Sequence, residues 1–364
     1  HISSDVATSG TITIPGQGFT QNYTVAANST TTITLPVASA QVTTNQTIEN
    51  KAVHVVANDP VTVYALNYEA YSSDATIVLP TTTLGIEYYT VNINPDIITG
   101  STPTQFMVVG VQNGSQIEIT PSVTTDGGNA AGVPFTITLN QGETYQVKAN
   151  GGDLTGTYVR SLGGCEKFAL FTGAECTNVG GCPYCDHLYE QLYPVSTWGM
   201  SYATSPYQTR NADIFRIVAS QNGTNVTVND GAPFVLNAGA FNQQTLSPAS
   251  FIQADKPIMV MQYSRGGDCD GANADPFIIN LSPVEQTLDN MTFNAFNSSV
   301  ISSYFVNIIS KTSTKNLVTL DGTAIGGFFT TIPSNPTYSH ARRPITTGNH
   351  TIVADSGVVA YVYG

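Results

Sequence analysis

Runs in which apolar and polar residues alternate one by one recur along the whole chain. Gly10-Thr-Ile-Thr-Ile-Pro15, Val61-Thr-Val-Tyr64, Gln116-Ile-Glu-Ile-Thr120 and Phe135-Thr-Ile-Thr-Leu139 are examples. A period of two puts alternate side chains on opposite faces, so each run reads as a strand with one buried side. Asn-Gly at 113–114 and 222–223 and Asp-Gly at 321–322 mark tight turns between such runs. One short stretch, near residues 186–192, reads instead as a helical turn. The pattern predicts an all-β protein.

The runs also repeat. Phe106-Met-Val-Val-Gly-Val-Gln-Asn-Gly-Ser-Gln-Ile-Glu-Ile-Thr120 aligns with Phe215-Arg-Ile-Val-Ala-Ser-Gln-Asn-Gly-Thr-Asn-Val-Thr-Val-Asn229, and a weaker copy begins at Phe305. A second element, Ala57-Asn-Asp-Pro-Val-Thr-Val-Tyr64, returns as Ala254-Asp-Lys-Pro-Ile-Met-Val-Met261 and Ala354-Asp-Ser-Gly-Val-Val-Ala-Tyr361, with a divergent copy at 164–170. A third runs from an Asp to a Pro, at 74–80, 186–194 and 275–283. These copies divide the chain into units 1–105, 106–214, 215–304 and 305–364, the last without its Asp-to-Pro element. Tandem antiparallel β-sandwich-like units are the first expectation. A closed β-propeller with two blades per unit is the alternative. A unit lacking a strand exposes an edge, to be covered by the N-terminal strand, a following domain or another copy of the molecule.

Charge narrows the function. Twelve basic residues face 25 acidic ones, a net charge of −13, and the only basic doublet is Arg342-Arg343. Phosphate backbones need clustered Lys and Arg, so nucleic acid is excluded as a partner. No apolar run approaches the roughly 20 residues of a membrane helix. The chain opens at His1 without a charged leader or apolar signal core, which reads as a mature, exported chain or an excised fragment.

Five cysteines stand at Cys165, Cys176, Cys182, Cys185 and Cys269. In an exported chain they read as disulfides of unknown pairing with one thiol left over. A zinc site of the first four has irregular spacing. Cys182-Pro-Tyr-Cys185 looks like a redox pair, but that chemistry uses a helix N-terminus in an α/β fold. Asp268, Asp270, Asn273 and Asp275 place oxygen ligands at near-alternate positions, a pattern that can wrap calcium. His1 would need a second histidine to chelate copper, and His54, His187, His340 and His350 carry no supporting motif. His187 has no nucleophile motif beside it, and no carboxylate pair stands out for glycoside hydrolysis. Asn-x-Ser/Thr sequons, candidates for glycosylation, begin at Asn22, Asn28, Asn45, Asn113, Asn222, Asn225, Asn280, Asn290, Asn297 and Asn349.

Some segments have a family look. Asn58-Asp-Pro-Val-Thr-Val-Tyr-Ala-Leu-Asn-Tyr68, the 74–80 element, Leu84-Gly-Ile-Glu-Tyr-Tyr89, Cys185-Asp-His-Leu-Tyr-Glu-Gln-Leu-Tyr-Pro-Val-Ser-Thr-Trp-Gly199, the 275–286 stretch and the last fifteen residues together resemble the N-terminal domain family of IgGFc-binding proteins. The motif positions are Asp74, Asp186, His187, Glu190, Trp198 and Asp275. The resemblance implies an extracellular, disulfide-containing module for binding or adhesion, without implying that this chain binds immunoglobulin. The resulting expectation is a non-catalytic surface adhesion, binding or structural module whose partner is a glycan, a surface protein or further copies of itself. A filament subunit joined by strand exchange is the second expectation, and a carbohydrate-active hydrolase the third. Calcium is the one cofactor expected.

Overall fold

The computed structural model describes residues 1–69, 72–93, 102–183, 185–267, 269, 275–297 and 301–364. Strands dominate, and every pairing between them is antiparallel. The fold is all-β.

Residues 199–280 show how the strands combine. The long strand Phe251–Tyr263 serves two sheets. Through residues 251–254 it pairs with Gly199–Ala203 on one side and Thr224–Val228 on the other, and Thr224–Val228 also holds Phe234–Leu236. Through residues 258–263 it pairs with Asp213–Ala219, which in turn holds Phe241–Leu246. Its last three residues also pair with Ile278–Asn280. The change of sheet falls at Asp255-Lys-Pro257, where proline has no N–H to offer a ladder.

The same scheme occurs in residues 288–363, where Gly348–Tyr363 crosses from Leu288–Ala295 to Tyr304–Lys311. Its corner is Asp355-Ser-Gly357, with Gly357 at φ 71°, a conformation that suits glycine. In residues 87–191 the crossing strand is split into Tyr158–Ser161 and Phe168–Thr177, and in residues 2–78 into His54–Ala57 and Thr62–Glu69. Here Gly164 and Pro60 stand at the break. The recurring element that begins at residues 57, 164, 254 and 354 is therefore the corner at which the crossing strand changes partners.

The four strand sets share their cores. Every residue of Asp213–Ala219 is buried. Ile214 and Val218 pack with Phe106 and Ile117 of the preceding set, whereas Phe215 and Ile217 pack with Val226 and Ile252 of their own. Ile309, Val359 and Tyr361 of the last set join that second core in turn. The last set also meets the first. Thr30 Oγ1 donates to Asn349 Oδ1 at 3.2 Å, and the His1 and Phe296 rings stack at 4.9 Å. Both halves of the third set thus contribute to one core, and the last set is in contact with the first.

One expectation is corrected. Residues 186–192 are not helical: Asp186–Gln191 is a strand paired with residues 171–177 of Phe168–Thr177. Its polar Glu190 and Gln191 are buried by neighbouring strands, so the local pattern gave a false period, and pairing decided the conformation.

Candidate functional site

Three of the sets carry a last, inner strand beside the end of the crossing strand: Ser72–Val78, Asp186–Gln191 and Ile278–Asn280. Each belongs to an Asp-to-Pro element, and the three converge. They are held together by side chains that reach backbone groups of the neighbouring inner strand. Asp74 Oδ2 accepts from the Tyr189 N–H at 3.0 Å, and Thr76 Oγ1 accepts from the Gln191 N–H at 2.9 Å. In return, Gln191 Oε1 accepts from the Leu79 N–H at 2.9 Å. Glu190 Oε1 accepts from the Asn280 N–H at 3.1 Å, and Ser72 Oγ donates to Asp186 Oδ1.

These carboxyls are out of water. Asp74, Asp186 and Glu190 are all buried, which penalises the charged form. Burial pushes Asp74 well above the usual carboxylate range, Asp186 to about 6 and Glu190 to about 7, against the pull of the N–H and O–H donors. Near neutral pH the junction holds protons that an exposed carboxylate would have lost. His187 sits beside it with its Nε2 3.4 Å from Asn67 Nδ2, and burial lowers its pKa. Trp198 packs near Tyr89 and donates from Nε1 to the Tyr193 carbonyl at 3.1 Å. Asp275 is exposed at the foot of the third element. The motif positions thus fall on or beside the inner strands, and Asp74, Asp186 and Glu190 bind those strands to one another.

The connections after the inner strands interlock as well. A Cβ added to Gly85 would collide with the Pro194 ring, and one added to Gly199 with Pro283. Each connector's glycine therefore seats the proline of the next.

Two disulfides bind the same region. Cys176 is joined to Cys185, and Cys182 to Cys269, with Cα separations of 5.1 and 5.3 Å. Cys165 is free and exposed. The zinc and redox readings of the cluster fail on this geometry, since Cys182 and Cys185 belong to different bridges. Of the calcium candidates, Asp268, Asp270 and Asn273 lie outside the described residues. Among the described residues no group of three or more His, Cys, Asp or Glu side chains is placed to hold a metal ion. His1 turns its Nδ1 to Thr32 Oγ1, His340 bonds Ser205, and His350 bonds Asp321. His54 lies exposed on a strand. Among the sequons, Asn280 is corrected: it is 2% exposed on an inner strand and closed to a bulky glycan. Asn45 and Asn349 have their amides in hydrogen bonds, and Asn22, Asn28, Asn113, Asn222, Asn225, Asn290 and Asn297 are exposed.

The sequence reading missed Arg216. It is 4% exposed in the middle of an apolar strand, and it pairs with Asp153 of the preceding set. Its Nη1 also donates to the Asn92 carbonyl at 2.6 Å and Thr155 Oγ1 at 2.8 Å, while its guanidinium lies 4.5 Å from the centre of the Phe241 ring. One charged residue inside the run Ile214-Phe-Arg-Ile-Val-Ala219 was the available signal, because a buried charge must be paired.

A human relative, "IgGFc-binding protein", is 24% identical over 326 residues, covering 86% of this chain and 6% of its own length. This chain therefore spans a small part of that curated relative. No solved structure matches it. The family model described as "IgGFc binding protein" matches residues 74–364, from the first inner strand through all three later strand sets. The chain belongs to that family.

Proposed function

We propose that this chain is an extracellular, non-catalytic module that binds a protein or glycoprotein partner at a cell surface. The family match across residues 74–364 carries the reading. Two disulfides support an oxidising compartment, and no helix among the described residues is long and apolar enough to cross a membrane. The repeats in the sequence support a reading of the chain as copies of one unit, divided at 1–105, 106–214, 215–304 and 305–364. Pairing runs across these boundaries, since Glu87–Tyr89 pairs with Tyr158–Ser161 of the following unit.

The test is surface plasmon resonance of the purified chain over immobilised mucin and, separately, immobilised Fc fragment. Saturable binding to either surface, weakened after reduction of the bridges, is the expected result. Flat responses on both surfaces, together with no retention on intact cells, would remove the binding reading.

A further inference from the structure

One register position of the repeat is filled differently in the last set. Met107, Arg216 and Val306 each follow the Phe that opens a copy, and their partners on the adjacent strand are Gln146, Gln243 and Arg343. Both glutamines are tied down. Gln146 Nε2 donates to the Thr44 carbonyl at 3.4 Å, and Gln243 Oε1 accepts from Arg216 Nε at 3.0 Å. The Arg343 guanidinium instead lies 3.6 Å from the centre of the Phe328 ring. Its Nε is buried without a hydrogen-bond partner, and among the described residues the guanidinium meets no acceptor. Arg160, Arg210, Arg216 and Arg342 each bond to an oxygen. A donor kept from water without an acceptor is unfavourable, and glutamine serves the fold at this position elsewhere.

The surroundings of Arg343 are apolar and open. Phe328 is 53% exposed and Leu317 55% exposed. They end two short 3-10 turns, Gly326–Phe328 and Lys315–Leu317, packed so closely that a Cβ on Gly326 would collide with Asn316. Lys315 Nζ donates to the Phe329 carbonyl at 3.4 Å. Two apolar side chains and two cations thus share one patch. It lies away from the inner strands, because Tyr304–Lys311 separates Tyr338–Ile345, which carries Arg343, from the crossing strand Gly348–Tyr363. Charge is uneven as well. Residues 305–364 carry four Lys and Arg against two acids, whereas residues 1–304 carry eight against 23. An anionic partner is therefore attracted to the last set and repelled by the rest.

We propose that Arg343, Phe328, Leu317 and Lys315 form a docking point for an acidic polypeptide segment in which an apolar residue adjoins an Asp or Glu. A guanidinium offers a carboxylate two parallel N–H donors, and stacking on an aromatic ring holds that fork ready. Phe328 and Leu317 receive the neighbouring apolar side chain. A polysulfated glycan would call for a row of free cations. Here Arg342 is committed to the Tyr207 carbonyl at 3.4 Å, and Lys311 stands at the far end of its strand from Val306, the partner of Arg343. The proposal deepens the binding reading above and rests on it for the existence of a partner.

The probe is a dye-labelled peptide of alternating Glu and Leu, titrated into the intact chain. Anisotropy at low salt should show saturable one-to-one binding that weakens steeply as salt is added. The same peptide with Gln in place of Glu should bind at least about tenfold more weakly. Arg343→Gln installs the residue of the other sets, so the melting temperature should stay within about two degrees while binding falls about tenfold or more. Arg343→Lys, which keeps the charge without the fork, should retain only part of the affinity. Lys311→Gln removes the same charge at a distance and should leave affinity within about twofold. Absence of binding by the Glu peptide, equal binding by the Gln peptide, or equal losses from Arg343→Gln and Lys311→Gln would overturn the proposal. So would displacement of the probe by 3′-sialyllactose at lower concentration than by unlabelled peptide, because the ligand would then be a sugar acid. A dimer that Arg343→Gln dissociates would overturn it too, since the occupant would be a second copy of this chain. Peptide failure with mucin or Fc responses intact rejects this site alone, and the reverse pattern rejects only the earlier choice of partners.

Discussion

Glu190 and Arg216 show what a buried ionisable residue does in this fold, with opposite consequences. The raised Glu190 carboxyl stabilises the fold most below the ordinary carboxylate range, and that contribution fades as pH rises through about 7, because the unfolded chain then gives up its proton more readily. Melting temperature should therefore fall between pH 6 and pH 8. Glu190→Gln, which keeps the hydrogen-bonding carbonyl oxygen, should flatten that fall and gain up to about 3 kcal/mol over the wild type at pH 8. A wild-type curve that is level across this range would contradict the assignment. Arg216 is held by Asp153, Asn92 and Thr155 from the preceding set. Arg216→Met should cost about 3 kcal/mol by chemical denaturation, since it strands a partly buried carboxylate and two oxygens. The motif acids were legible in the sequence as repeated Asp positions. Their burial was not, because it arises between inner strands whose contacting residues are 90 and 115 positions apart.

Among the elements, the corners and strands were the most readable, since proline, glycine and a period of two act locally. The inner strand at residues 186–191 was not, because beside its pairing with Phe168–Thr177 it is fixed by hydrogen bonds to two other sets. Cysteine pairing was beyond reach for the same reason: Cys182 and Cys269 are 87 residues apart and meet only once two sets have docked. Alkylation of the native protein should add one label per chain, at Cys165, and five after reduction and unfolding, as read by intact mass. Opening the long loop by Cys182→Ser should cost about 2–5 kcal/mol. Gly85→Ala tests the interlocked connectors. A methyl group driven into Pro194 should cost about 1–3 kcal/mol, and a thermal shift assay showing no loss would mean that the connectors slide freely.

At the scale of the whole molecule, shared cores make the sets interdependent. Ile214 and Met259 belong to the same core as Phe106 and Leu139, and Ile309 to that of Val226, so removing one set would uncover the next. Differential scanning calorimetry should accordingly show one dominant transition for residues 106–364, with calorimetric and van't Hoff enthalpies in agreement. Separate peaks for each set would show that the interfaces are weak. The crossing strand has a further consequence, for how such a chain can lengthen over evolutionary time. Residues 258–263 and 358–363 do the same work one hundred positions apart. Because that strand belongs to two sheets at once, duplicating half a unit would leave it with one sheet and a bare flank. Growth by whole units keeps every strand partnered, so relatives of this chain should differ in length by entire repeats, while shorter insertions gather in the turns.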